Sequence, residues 1–396
     1  MATVTYDDRS FLVDGERIWL VSGSVDYFRV PAPLWRDRLL KVKRAGLNCV
    51  CTRVAWNFHE PAEGQWDFSG DRDVAEFVRQ AGQLGLYVIL RPGPYIGSQW
   101  DFGGLPGWLT GKTGIAYRTS NAAFMHYLDK YLSNVLPRLA DQQVTRDGKI
   151  ILVQVENDYG FMTMPDSANY LQFVHQLIRR AGFEVPIIHC NAPAAPPIAE
   201  TVPTVRVWDK PAAGLKACRS RHSGTPLMVI DLWTGCADAW GQEHAGRDGR
   251  ELARTALEAL GCGAQLNYTM WHGGTNFAFW GARREGRQAA YQATTYDFDA
   301  PLAEGGGLTG KYYLTRLVNL LASRMGGHLA AAAGAPAGAN LHGTSEVLNL
   351  SGPLGRWAVV TGGGREGLDR ASVSLPDGTE LEVSLAPLGA VAVPIG

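Results

Sequence analysis

No segment of this chain is basic enough to track a nucleic-acid backbone. Lysine and arginine total 37 against 38 acidic residues, they are scattered rather than clustered, and the net charge is −1, so no nucleic-acid partner is expected. No uninterrupted apolar run approaches the length of a membrane span, which removes a membrane partner from the expectation. Residues 1–8 lack the basic-then-apolar order of a secretory leader, so a cytoplasmic protein is expected. The six cysteines (Cys49, Cys51, Cys190, Cys218, Cys236 and Cys262) have neither zinc nor redox spacing and read as reduced thiols. No His/Cys/Asp set has metal spacing and no glycine-rich phosphate loop is found, so neither a metal nor a cofactor is expected. Internal repeats are absent too.

What the chain does have is length and apolar content. At 396 residues and 46% hydrophobic it can bury one large core plus a small extra module. The N-terminus reads as a β-hairpin turning at residues 13–16. Buried-type strands then alternate with amphipathic helices. Strands are expected at 19–25, 49–56, 87–92, 150–155, 186–189, 205–208, 227–231 and 265–271. Helices are expected at 35–46, 74–85, 122–139, 167–181, 250–260 and 311–325, with 191–223 irregular. Eight such strands predict an α/β fold, a closed parallel (β/α)₈ TIM barrel, over residues 1–325. Residues 326–396 change to Gly, Ala, Pro and short β-branched runs at 357–361, 371–375, 381–385 and 390–394, which predict a small antiparallel β module.

Two of the strands end in acids. Ile150 to Val155 is apolar almost throughout, then gives way to Glu156-Asn157-Asp158-Tyr159-Gly160; Leu227 to Ile230 runs into Asp231. In a (β/α)₈ barrel the strand ends form the catalytic face, and paired carboxylates there point to chemistry on a glycosidic bond. The chain has 12 tryptophans, of which about two-thirds are expected to be packing side chains. Of the strand-end rings Trp56, Trp100, Trp233, Trp271 and Trp280, one or two are expected to form a sugar platform.

Longer motifs carry a family likeness. Tyr27-Phe28-Arg29-Val30-Pro31, Trp56-Asn57-Phe58-His59-Glu60-Pro61, Leu90-Arg91-Pro92-Gly93-Pro94-Tyr95, Phe102-Gly103-Gly104-Leu105-Pro106, Val153 to Gly160, His272-Gly273-Gly274-Thr275-Asn276-Phe277 and Tyr296-Asp297-Phe298-Asp299-Ala300-Pro301 run in one order along the chain. Together they resemble the catalytic domain of glycoside hydrolase family 35, the β-galactosidase family. The resemblance implies a retaining-clan barrel with Asp158 as acid/base and Asp231 as nucleophile, each where the family has Glu. It also implies substrate contacts from Asn157, which is kept, and from positions that diverge. Arg53 stands for a Tyr, Ser98-Gln99 for Ala-Glu, Asp26 for the His before Tyr27, Cys236 for a Trp, and Phe298 for a Tyr near Tyr296. Trp233 follows the nucleophile strand. Losing the glutamate at Gln99 argues against plain β-galactose as substrate.

Each shortened acid withdraws its carboxyl by roughly 1.5 Å. With a fixed backbone the pair would open towards the inverting range of about 6.5–9.5 Å, with Asp231 as base on a water and Asp158 as acid; strand ends shifted inward, or a substrate seated deeper, would keep retention instead. The same change at both positions reads as refitting, because decay would favour Ala, Asn or Gln. Arg53 has two readings, recognition of an acidic substrate group or an internal salt bridge with Asp26, and the two are compatible. Glu60 is expected to be structural, and so are His272, Asn276, Asp297 and Asp299. The expected partner is a small-molecule glycoside; homo-oligomerisation is left open. Transfer or rearrangement in a biosynthetic route, or sugar binding without turnover, are the alternatives to hydrolysis.

Overall fold

The computed structural model describes residues 2–161, 168–284, 290–337, 346–352, 355–361, 370–374, 380–385 and 388–394. The chain opens with an antiparallel sheet, β1 (Val4–Tyr6), β2 (Phe11–Val13) and β3 (Glu16–Ile18), turning at Gly15 as expected. There follow β4 (Val21–Val25), β5 (Cys49–Arg53), β6 (Tyr87–Arg91), β7 (Ile150–Gln154), β8 (Ile187–His189), β9 (Thr201–Pro203), β10 (Val205–Val207), β11 (Leu227–Trp233) and β12 (Ala264–His272). These nine pair in parallel in the order β10-β11-β12-β4-β5-β6-β7-β8-β9. The two ends of that order are one chain segment interrupted at Thr204, whose backbone N–H and hydroxyl both donate to the His189 carbonyl at 2.9 and 2.8 Å. The sheet is therefore an α/β barrel with eight strand positions, the sixth broken in two. All residues of β4, β5, β7 and β12 are buried, as strands covered on both faces must be.

Helices Trp35–Arg44, Val74–Gln83, Ala122–Val135, Ala168–Arg180, Gly249–Gly261 and Gly310–Arg324 match the expected ones to within a few residues. Capping explains several boundaries. Asn121, Asp73 and Asp248 accept backbone N–H groups from the first turns of their helices. Gly46 and Gly85 take the left-handed conformation just past two helix ends. The expected helix at 122–139 is divided before Pro137, which cannot continue the N–H ladder.

The irregular region contains two unexpected elements, β9 and the helix Pro211–Arg221. β9 is three residues long and ends in proline. The helix buries only Pro211 and Leu215, so no apolar stripe marks it in the sequence. Towards the C-terminus Ala333–Ala337, Glu346–Gly352, Gly355–Thr361 and Ala390–Pro394 form an antiparallel sheet, and Arg370–Ser374 pairs with Glu380–Ser384. Leu350, Val359, Leu388 and Ala390 join the barrel's own core, with helix Gly249–Gly261 against the sheet. Residues 167 and 375, where two expected elements begin or end, lie outside the described residues. No described helix is long and apolar enough to cross a membrane.

Candidate active site

A cavity of about 910 Å³ opens at the carboxyl ends of the barrel strands, where a parallel barrel binds its ligands. Asp158, Asp231, Asn157, Arg53, Ser98, Gln99, Trp233, Tyr296 and Phe298 all line it. Two expected contacts do not reach it. Tyr27 is fully buried, its hydroxyl bonded to His59 Nε2 and its ring packed among Phe28, Trp35, Phe58 and Phe77. The 3-10 turn Tyr27–Arg29 rotates it into the wall. Asp26 is also fully buried and acts one layer beneath the cavity. It accepts from Arg29 at 2.6 Å and Ser98 at 3.2 Å, and lies 3.4 Å from Arg53.

Asp231 is held rigidly. Arg91, at the end of β6, donates to both carboxylate oxygens at 2.9 and 3.2 Å, and the Thr269 hydroxyl donates at 2.8 Å. Arg53 approaches to 3.6 Å. Burial alone would raise the Asp231 pKa, but the Arg91 guanidinium, aided by Arg53 and Thr269, overrides it and holds the carboxyl well below the usual range.

Asp158 is displaced the other way. Its burial and then the nearby charge of Asp231 raise its pKa, against the pull of Arg206, which lies 3.2 Å away. The backbone at Glu156 and Asp158 is left-handed, with φ of 56° and 54°, a conformation that Asp tolerates through local bonds better than longer side chains do. Asn157 Nδ2 supplies such a bond to Asp158 at 3.1 Å, while its Oδ1 accepts from Arg91. Ser98, Gln99, Arg118 and Phe298 around the cavity also have positive φ. Strained backbone of this kind costs roughly 1–3 kcal/mol per residue and clusters at functional sites.

A carboxylate oxygen of Asp158 lies within 4.8 Å of one from Asp231. Glu156 is no substitute acid: Arg118 grips both its oxygens at 3.0 and 2.7 Å and Tyr170 donates at 2.6 Å. Arg53 contacts Asp26 internally and also lines the cavity.

Cys190 Sγ is also within 4.8 Å of both carboxylates. Three guanidinium groups already face that pair, and burial, followed by the two aspartates, pushes the thiol well above its ordinary range. Such a set suits an acid pair better than a cation. Trp100 and Trp233 line the cavity; Trp56 and Trp271 are buried wall, and Trp280 stacks on Trp100 at 5.2 Å. Glu60 accepts from Trp56 and Gly64, Asn276 from Arg29, and Asp299 from Arg247, all in bracing roles.

Sequence reasoning missed Arg91, Thr269, Arg206 and Cys190. Arg91 ends a buried strand as a charged residue after an apolar run, so the signal that marked Asp231 could have found it. Arg206 lies in the irregular region and carries no local signal.

The model of the glycosyl hydrolases family 35 matches residues 10–321. The chain is 41% identical over 326 residues to a β-galactosidase of Bos taurus, covering 79% of this chain and 49% of that protein. It is 40% identical over 327 residues to the β-galactosidase of Homo sapiens, covering 80% and 47%. It is 36% identical over 309 residues to β-galactosidase-1-like protein 3 of Rattus norvegicus, covering 77% and 49%. The chain thus spans about half the length of the curated relatives it matches. Among solved structures, a β-galactosidase from Marinomonas ef1 aligns with a TM-score of 0.58 at 12% identity, covering 80% of this chain and 62% of that one. GH5_18 from Streptomyces cattleya aligns at 0.57 and 14% identity, covering 78% and 81%. At those identities the likeness speaks for the barrel alone.

Proposed function

The chain belongs to glycosyl hydrolase family 35, and from that premise we propose an exo-acting glycosidase that works on a small glycoside with net retention. Asp231 is the nucleophile and Asp158 the acid/base. The observation that carries this reading is the opposite displacement of two carboxyl groups within 4.8 Å of each other, one raised and one lowered. The ionised Asp231 attacks the anomeric carbon while Asp158 gives its proton to the glycosidic oxygen, and the aglycone leaves as an alcohol. A water then gives a proton to Asp158 and attacks the same carbon, which frees the sugar and restores Asp231.

Altered sugar specificity is supported by the cavity's chemistry. Gln99 offers a neutral amide, already accepting from the Tyr296 hydroxyl at 2.6 Å, and Arg53 puts a cation beside the nucleophile. The test is a proton NMR time course with aryl β-galactosides, glucosides, arabinosides and uronides, run on the wild type and on Asp231→Asn. The expected first product has the substrate's own anomeric configuration, and the variant is silent. An inverted first product, or undiminished turnover in the variant, sinks the reading.

A further inference from the structure

A second cavity, of about 900 Å³, adjoins the catalytic one and shares two walls with it, Arg206 and Trp233. It lies between the segment after β8, the broken sixth strand and the helix Pro211–Arg221. Its lining is largely apolar, with Phe161, Pro196, Ile198 and Trp208 among the side chains that face it. Phe161 and Trp208 are exposed for half or nearly half of their surface, and both rings face this one space. Cys190, which lines this cavity, lies within 4.8 Å of both carboxylates, so the space begins where bond cleavage would occur.

We propose that this cavity is the leaving-group site and that it takes an aromatic aglycone, which makes the substrate an aryl glycoside of the phenol class. The inference rests on the glycosidase reading above. Asp158 must reach the oxygen between sugar and aglycone, and Asp158 is paired with Arg206, the side chain that divides the two cavities. An aglycone bonded to that oxygen on the side away from Asp231 passes Arg206 and enters the apolar space. There the Arg206 guanidinium already lies 4.8 Å from the Phe161 ring centre and 5.4 Å from that of Trp233, so the boundary between the cavities is a cation among aromatic rings. Both amide atoms of Asn191 and Nδ1 of His189 are shut from solvent without a hydrogen-bond partner among the described residues. Burial, then the neighbouring His222, lowers the His189 pKa to about 4, so the ring is neutral. Neutral donors and acceptors beside aromatic walls fit the hydroxyl or carbonyl substituents of a phenolic ring.

The test fills the cavity from its helical side. Gly214 lines it, and a Cβ added there meets nothing within 4 Å, so Gly214→Trp starts a ring from open space; Ala217→Trp, one turn on, is the second variant. Two readouts are taken from wild type and both variants: quenching of intrinsic fluorescence by free 2-naphthol, and kcat/KM for the 2-naphthyl and methyl glycosides of the sugar cleaved fastest. The ratio between variants cancels the intrinsic difference in leaving ability. Filling the cavity is expected to lower the naphthyl-to-methyl ratio about tenfold or more and to weaken 2-naphthol binding. A ratio and a binding curve unmoved in both variants would overturn the proposal and leave the glycosidase reading standing. If no glycoside is cleaved, the 2-naphthol curves still decide: weaker binding in the variants keeps the aryl site and removes only the hydrolytic reading, whereas unchanged binding removes the site.

Discussion

Replacing Asp231 with Glu would restore the longer acid that the family resemblance expects at this position, and it should make the protein worse. The added methylene extends the carboxyl by roughly 1.5 Å. Arg91 now meets both oxygens of Asp231, at 2.9 and 3.2 Å, and Thr269 adds a third bond at 2.8 Å. A longer side chain cannot keep all three from the same backbone position. It must either fold aside or advance on Asp158, whose carboxylate is already within 4.8 Å. Loss of one charge-assisted bond is worth about 1.5–3 kcal/mol, and roughly 1.4 kcal/mol is a factor of ten in rate. A drop of about a hundredfold in kcat/KM is therefore expected, the size typical of a 1 Å misplacement of a reacting group. The assay is initial-rate kinetics on an aryl glycoside that the wild type cleaves, with thermal unfolding in parallel to exclude loss of folded protein. A variant as fast as the wild type, or faster, would show that the pocket is not built around the shorter acid, and the refitting argument would fail.

Two further outcomes follow from the charges around the fourth-strand loop. Arg118 and Glu156 form a buried pair, and Arg118→Met leaves the Glu156 carboxylate without its main partner. Stability should fall by about 3–5 kcal/mol in denaturant unfolding, and adding Glu156→Gln should recover part of it; a loss below about 1 kcal/mol would mean that the pair does not hold the loop. Arg206 pulls the Asp158 pKa down, so Arg206→Met should let it rise. Asp158 must carry its proton to act as the acid, so a higher pKa keeps the active form present to higher pH. The alkaline limb of the kcat/KM profile should move upward; a limb that stays or moves downward contradicts the assignment of Asp158.

Much of this molecule was legible before any coordinates, and for a local reason. A buried strand needs a run of apolar residues, and an acid that interrupts such a run must have a partner or a task. That is why Asp231 and Asp158 stood out, and why eight strand positions and the amphipathic helices between them could be read from periodicity. The longer motifs carried the family, whose model matches residues 10–321. Short or weakly patterned elements gave no such signal: β9 has three residues, and the helix after β10 buries two. Tertiary structure decided what depends on distance between segments remote in sequence. It turned Tyr27 into the wall, set Asp26 beneath Arg53, and carried Arg118 across 38 residues of chain to Glu156. It also decided the separation of the two acids. Counting methylenes fixes no separation by itself, and an oxygen of Asp158 lies within 4.8 Å of one from Asp231. Side-chain length is written residue by residue, whereas the gap between two carboxylates is set by where two backbones lie, and only the closed barrel fixes that.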